Sequence, residues 1–131
     1  MLTLGLTKEK RMTVAEEQTA ISMHSGGLQV FATPAMIALM EEAALECAAD
    51  HLEPGMTTVG TKVCIEHIAP TPVGSAVRAV ATLTEIDRRR LVFSVEAYDE
   101  TEKIGFGTHE RFITDSAKFQ EKCNRKASCK A

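Results

Sequence analysis

Two hydrophobic periods divide the chain. From Thr33 to Asp50 the run "TPAMIALMEEAALECAAD" places apolar residues on almost every side of a 3.6-residue helix. From Thr57 the period becomes two, and Val59, Thr61, Val63, Ile65 and His67 are predicted to share one strand face. Three further strands are predicted at Ala76–Ile86, Arg90–Tyr98 and Lys103–Thr114, runs rich in Val, Thr, Phe and Ile. The polar turns Asp87-Arg88-Arg89 and Asp99-Glu100-Thr101-Glu102 join them as consecutive antiparallel hairpins. Residues 2–20 alternate and contain another strand, and residues 24–32 form a glycine-containing connection. Thr33 is the predicted N-cap of the long helix, with Pro34 at the first helical position and Glu53-Pro54-Gly55 ending the element.

A helix that is apolar all round must be covered on most sides. An antiparallel sheet can curl around one side of it. The other side, and the sheet edge, invite a second copy of the chain. The predicted class is therefore α+β, a hotdog fold: a long central helix wrapped by a curved antiparallel sheet of about five strands. Residues 1–115 are assigned to this domain. Residues 116–131 form a basic tail, five Lys/Arg against one Glu, read as a short helix or a disordered segment.

Composition narrows the function classes. The chain has 131 residues, 44% hydrophobic and 25% charged, enough for one domain with a real core. A net charge of −3 implies no general affinity for nucleic acid or anionic membranes. No apolar run approaches the roughly 18 residues of a membrane span, and the N-terminal stretch is a poor signal peptide. Cys47, Cys64, Cys123 and Cys129 match no CxxC metal or redox spacing. They are expected to be free thiols, buried at Cys47 and Cys64, in a reducing cytoplasm. No pair of histidines has metal-ligand spacing, so no metal is expected.

Candidate chemistry then rests on few residues. Glu42, Glu46 and Asp50 share one polar stripe, the solvated edge of the helix. Glu41 lies about 100° from Glu42, among Ile37, Ala38, Ala44 and Leu45. It either reaches solvent along the helix edge or stands as a partly desolvated carboxylate. His67 ends an apolar strand face and is either a satisfied core histidine or a proton shuttle. His24 and His51 fall in loops and read as exposed, and His109 lies on a strand without an identifiable partner. Arg88-Arg89-Arg90 is either a solvated turn or a phosphate holder. There is no GxSxG elbow and no phosphate-binding glycine loop.

The segments "ATPAMIALMEEAA" and "TVGTKVCIEHIAPTPVG", with "GTHERF" in the last strand, resemble the fluoroacetyl-coenzyme A thioesterase branch of the hotdog superfamily over roughly residues 10–115. The resemblance implies hydrolysis of an acyl-coenzyme A thioester by a homodimer, with the site at the subunit interface and coenzyme A entering only as part of the substrate. Thr33, Glu41 and His67 match the family's active-site threonine, glutamate and histidine. Gly60 matches the glycine that lies against the thioester carbonyl, and Phe31, two residues ahead of the threonine, is the substrate-binding candidate nearest the lid position. The family enzyme has an aromatic lid ahead of its threonine. Here that stretch reads His24-Ser25-Gly26-Gly27-Leu28, so fluoroacetyl selectivity does not carry over. Two other readings stay open: a non-catalytic hotdog module binding an acyl thioester or small carboxylic ligand, and a dehydratase-type hotdog enzyme, whose usual His/Asp pairing is absent here.

Overall fold

The computed structural model describes residues 1–128. Its elements are β1 (Thr7–Thr13), a 3-10 turn (Glu16–Gln18), α1 (Thr33–Ala49), β2 (Met56–His67), β3 (Ala76–Asp87), β4 (Arg90–Tyr98), β5 (Lys103–Asp115) and α2 (Ser116–Ser128). The five strands form one antiparallel sheet in the order β1-β3-β4-β5-β2, which makes β2 an edge strand. α1 lies across β1 and β3 far more than across β5. No described helix is long and apolar enough to cross a membrane.

The core follows the alternation. Val77, Ala79, Ala81 and Leu83 of β3 and Leu91, Phe93, Val95 and Ala97 of β4 are buried under α1. They meet Met36, Leu39, Met40, Ala43, Ala44, Cys47 and Ala48 of the helix. Small residues bring helix and sheet close: a Cβ added at Gly105 would lie 2.5 Å from Met36 Sδ. On β5 the inward row turns polar, with His109 and Arg111 buried. Ile37, Glu41 and Leu45 remain half-buried and Ala38 exposed, so the helix keeps a side that its own sheet does not cover.

Five local expectations are corrected. Thr33 is the first residue inside α1 rather than its N-cap; the cap is Ala32, whose N–H donates to the Gln18 carbonyl at 2.8 Å. The helix stops at Ala49, and Gly55 (φ 85°) makes the later turn into β2. The period of β2 is interrupted at Thr61, which the register skips between Gly60↔Arg111 and Lys62↔Glu110. Facing residues of an antiparallel pair share a side. Thr58 and Gly60 therefore join Val63, Ile65 and His67 on the helix side, and Val59 turns outward with its partner Phe112. Cys64 is exposed, because it lies on the outer face of this edge strand, whereas Cys47 is buried in α1; both are free thiols, as is Cys123. His51 is half-buried in the turn after α1, and His24 is exposed with φ 59°.

Candidate active site

The start of α1 meets the end of β2. Because Thr33 is inside the helix, its hydroxyl is not used as a cap. It lies 2.7 Å from His67 Nδ1. His67 Nε2 is buried and has no hydrogen-bond partner. A buried polar atom left unpaired costs about 1–3 kcal/mol and calls for an explanation. Burial pushes the His67 pKa below the usual histidine value, with the Ala69 backbone pulling the other way. The ring is therefore neutral at pH 7, with one nitrogen available as an acid or a base.

This pair opens onto a cavity of about 300 Å³ lined by Thr33, His67, Phe31, Ser25, Val30 and the Ile68–Pro70 turn. Phe31 is buried in its wall. Of the His24–Leu28 stretch only Ser25 lines the cavity, and the stretch carries no phenylalanine. At the helix start the N–H groups of Thr33 and Ala35 find no backbone acceptor. Unpaired helix-start donors favour negative charge.

Glu41 stands elsewhere. It is half-buried, while Glu42 is exposed. Its Oε2 would lie 2.9 Å from a Cβ built on Gly60, a point that is also 3.2 Å from His109 Cε1 and 3.3 Å from Arg111 Nη1. Eight residues of helix, about 12 Å, separate Glu41 from Thr33. Seven residues of β2, on the order of 20 Å, separate Gly60 from His67. One chain thus brings Thr33, His67 and Phe31 together, and Glu41 and Gly60 together, but does not join the two groups.

His109 and Arg111, not among the predicted site residues, complete the second group. Arg111 Nε donates to Thr58 Oγ1 (2.8 Å) and Nη2 to the Thr58 carbonyl (2.9 Å). Burial lowers the Arg111 pKa and the nearby Glu41 charge opposes that shift. The polar stripe of α1 behaves as predicted: Lys10 of β1 reaches Glu46 at 2.7 Å and Glu42 at 3.8 Å.

Arg88, Arg89 and Arg90 lie at the β3–β4 turn beside a cavity of about 370 Å³ whose other lining residues are Asp87 and Phe112. Arg90 is engaged by Glu85 (2.7 Å) and Glu110 (3.0 Å), and these bonds raise its pKa. Arg88 and Arg89 are exposed. Among the described residues no group of three or more His, Cys, Asp or Glu is placed to hold a metal ion.

A long helix in a five-stranded antiparallel wrap, with a threonine–histidine pair at the helix start, defines a hotdog-type thioesterase. The model of the fluoroacetyl-CoA-specific thioesterase family matches residues 14–117, and the chain belongs to that family. The fluoroacetyl-CoA thioesterase of Streptantibioticus cattleyicolor is 43% identical over 98 residues, 75% of this chain and 70% of that protein. A solved structure of a fluoroacetyl-CoA thioesterase superposes with a TM-score of 0.91 at 34% identity, covering 96% of this chain and 98% of the other. A thioesterase superfamily member from Thermus thermophilus superposes at 0.90 with 28% identity, over 98% and 95% of the two chains. The protein is accordingly a thioester hydrolase acting on acyl-coenzyme A.

Proposed function

We propose that the chain hydrolyses a small acyl-coenzyme A thioester in a site assembled between two copies of itself. The carrying observation is the Thr33–His67 pair at 2.7 Å, with His67 Nε2 buried and unpaired at the end of β2. Hydrolysis needs an oxygen nucleophile, a proton carrier and a donor set for the oxyanion. In this reading Glu41 activates water or attacks the carbonyl carbon itself. Attack forms the C–O bond and moves the carbonyl π pair onto oxygen, and collapse of that oxyanion breaks the C–S bond. Where water attacks, its proton passes to Glu41 and is relayed through His67 to the sulfur; where Glu41 attacks, the sulfur leaves as a thiolate and takes its proton from solvent. The N–H groups of Thr33 and Ala35 stabilise the oxyanion, Gly60 lies against the substrate, and Phe31 shapes the acyl cavity. Where Glu41 is the nucleophile, water then hydrolyses the acyl-enzyme.

Glu41 and His67 of one chain are too far apart to act on one carbonyl. The half-buried apolar side of α1 and the unpaired edge of β2, with Val63 45% exposed, supply the surface for a second copy. In the homodimer Glu41 of one copy serves the Thr33–His67 pair of the other. Arg88 and Arg89, exposed at the β3–β4 turn, are assigned to the coenzyme A phosphates. Arg90, the third basic residue of that turn, holds its shape through Glu85 and Glu110. Every step uses side chains, backbone N–H groups and water. The free thiols Cys47, Cys64 and Cys123 suit a reducing compartment such as the cytoplasm.

Complementation tests the shared site. His67→Ala and Glu41→Gln chains are each expected to be inactive. Unfolded together and refolded as a mixture, half the dimers are mixed and each holds one intact site, so activity returns to about a quarter of wild type. A mixture as inactive as its components, with mixed dimers demonstrated by mass, overturns the shared site. A monomeric mass at micromolar concentration overturns it as well.

A further inference from the structure

His109 is 1% exposed and is unused by the reaction as written. Its two ring nitrogens have opposite tasks. Nδ1 lies 2.8 Å from the Lys62 carbonyl, which can only accept, so Nδ1 carries the proton. Nε2 lies 3.1 Å from Arg111 Nη1, and a guanidinium can only donate, so Nε2 is the acceptor. The two bonds define one neutral tautomer. A second proton would set a donor against the guanidinium, and burial already favours the neutral ring.

We propose that His109 is a positioning residue, which holds the Arg111 guanidinium away from the Glu41 carboxylate. This rests on the catalytic reading of Glu41. Arg111 is held from three sides: Thr58 Oγ1, the Thr58 carbonyl and His109. Nη1 and Glu41 Oε2 both stand within 3.3 Å of the point where a Gly60 side chain would begin. Nη1 is the Arg111 nitrogen whose direction His109 sets. Released from that acceptor, it turns toward the nearest anion and occupies the oxygen lone pairs that activate water or attack the thioester. The carboxylate then stays in place and loses its reactivity.

Two substitutions separate this role from simple packing, because each keeps a different bond. His109→Asn retains an N–H for the Lys62 carbonyl and leaves Arg111 Nη1 without an acceptor. His109→Gln places an amide oxygen where Nε2 stood and gives up the Lys62 bond. Both are assayed with a short acyl-coenzyme A by release of free thiol, alongside thermal melts and a Glu41→Gln reference. The expected result is a kcat about tenfold or more below wild type for His109→Asn at little-changed KM, with most of that loss absent in His109→Gln. Equal kcat in the two variants, or a ranking that follows their melting temperatures, overturns the proposal. Should His109→Asn fail to fold, His109→Gln decides alone: a native melt with kcat reduced to the level of Glu41→Gln overturns it, and retained kcat supports it. Wild-type turnover in Glu41→Gln would instead remove the catalytic reading underneath, a separate outcome.

Discussion

Adding one methyl group at Gly60 tests the geometry around Glu41. A Cβ there meets Glu41 Oε2 at 2.9 Å, His109 Cε1 at 3.2 Å and Arg111 Nη1 at 3.3 Å. The last two cannot retreat freely, since His109 is tied to Lys62 and Arg111 to Thr58. The carboxylate ends a flexible side chain, so it gives way, by about half an ångström to reach an ordinary contact. A 1 Å misplacement can cost about 10²-fold in rate, so Gly60→Ala is expected to lower kcat/KM by about tenfold or more. Stability should fall by no more than about 2–3 kcal/mol. Crowding costs about 1–3 kcal/mol, while a less flexible unfolded chain returns about 0.4–1 kcal/mol, since Gly60 has no positive φ to lose. Gly105→Ala is the contrast: its Cβ would lie 2.5 Å from Met36 Sδ and 3.0 Å from the Glu66 carbonyl, in the seat of the helix. It should depress the melting temperature more than Gly60→Ala does. Thiol release against acyl-coenzyme A, with thermal melts of both variants, makes the comparison. A Gly60→Ala protein with a native melt and wild-type kcat/KM would refute the packing of Glu41 on this glycine.

Two further outcomes are expected. Glu41→Gln removes the charge at constant shape and should cut kcat by about 10²–10⁴-fold; Glu42→Gln gives up only a solvent-exposed 3.8 Å pair with Lys10 and should leave turnover near wild type, as steady-state kinetics on both will tell. Burial depresses the folded pKa of His67 and His109, so below about pH 6.5 the unfolded chain takes up protons that the folded chain refuses, and stability falls with pH down to their folded values. Melting temperatures should be level above about pH 7 and drop from pH 6.5 toward 5.5; a flat profile over that window would contradict the burial of these rings.

The strands were readable because one face of each is dry. Val95 and Ala97 alternate with Ser94 and Glu96, and β3 is bounded by polar turns, so strand starts and ends came out within a residue or two of the observed β3, β4 and β5. The helix end was less readable, since apolar and charged residues continue past Ala49 and only a backbone turn stops it. Two one-residue effects carried the functional geometry and left little trace in the pattern. Pro34 suits the first or the second helical position equally well, and the difference moves Thr33 from cap to helix. That single step frees its hydroxyl for His67. The bulge at Thr61 reverses the facing of β2 between its halves, and Gly60 was its only hint.

His109 and Arg111 were missed because their partners, Thr58 and Lys62, lie some fifty residues away on a strand paired only by the fold. A signal was nonetheless present. In "GFGTHERF" the aromatics Phe106 and Phe112 share one parity, and Gly105, Gly107, His109 and Arg111 share the other. An ordinary half-buried strand would turn the aromatics inward. Here they are 36% and 40% exposed, and the histidine and arginine are buried. A strand that spends its dry face on an arginine gives up hydrophobic burial, so the inverted parity marks a face kept for charge. The same face holds the glycine against which Glu41 packs. Inverted parity on β5, the bulge on β2 and the carboxylate on an apolar helix are therefore three signs of one polar pocket. Its natural complement is the unpaired His67 nitrogen at the far end of β2, which a second copy of the chain can bring within reach.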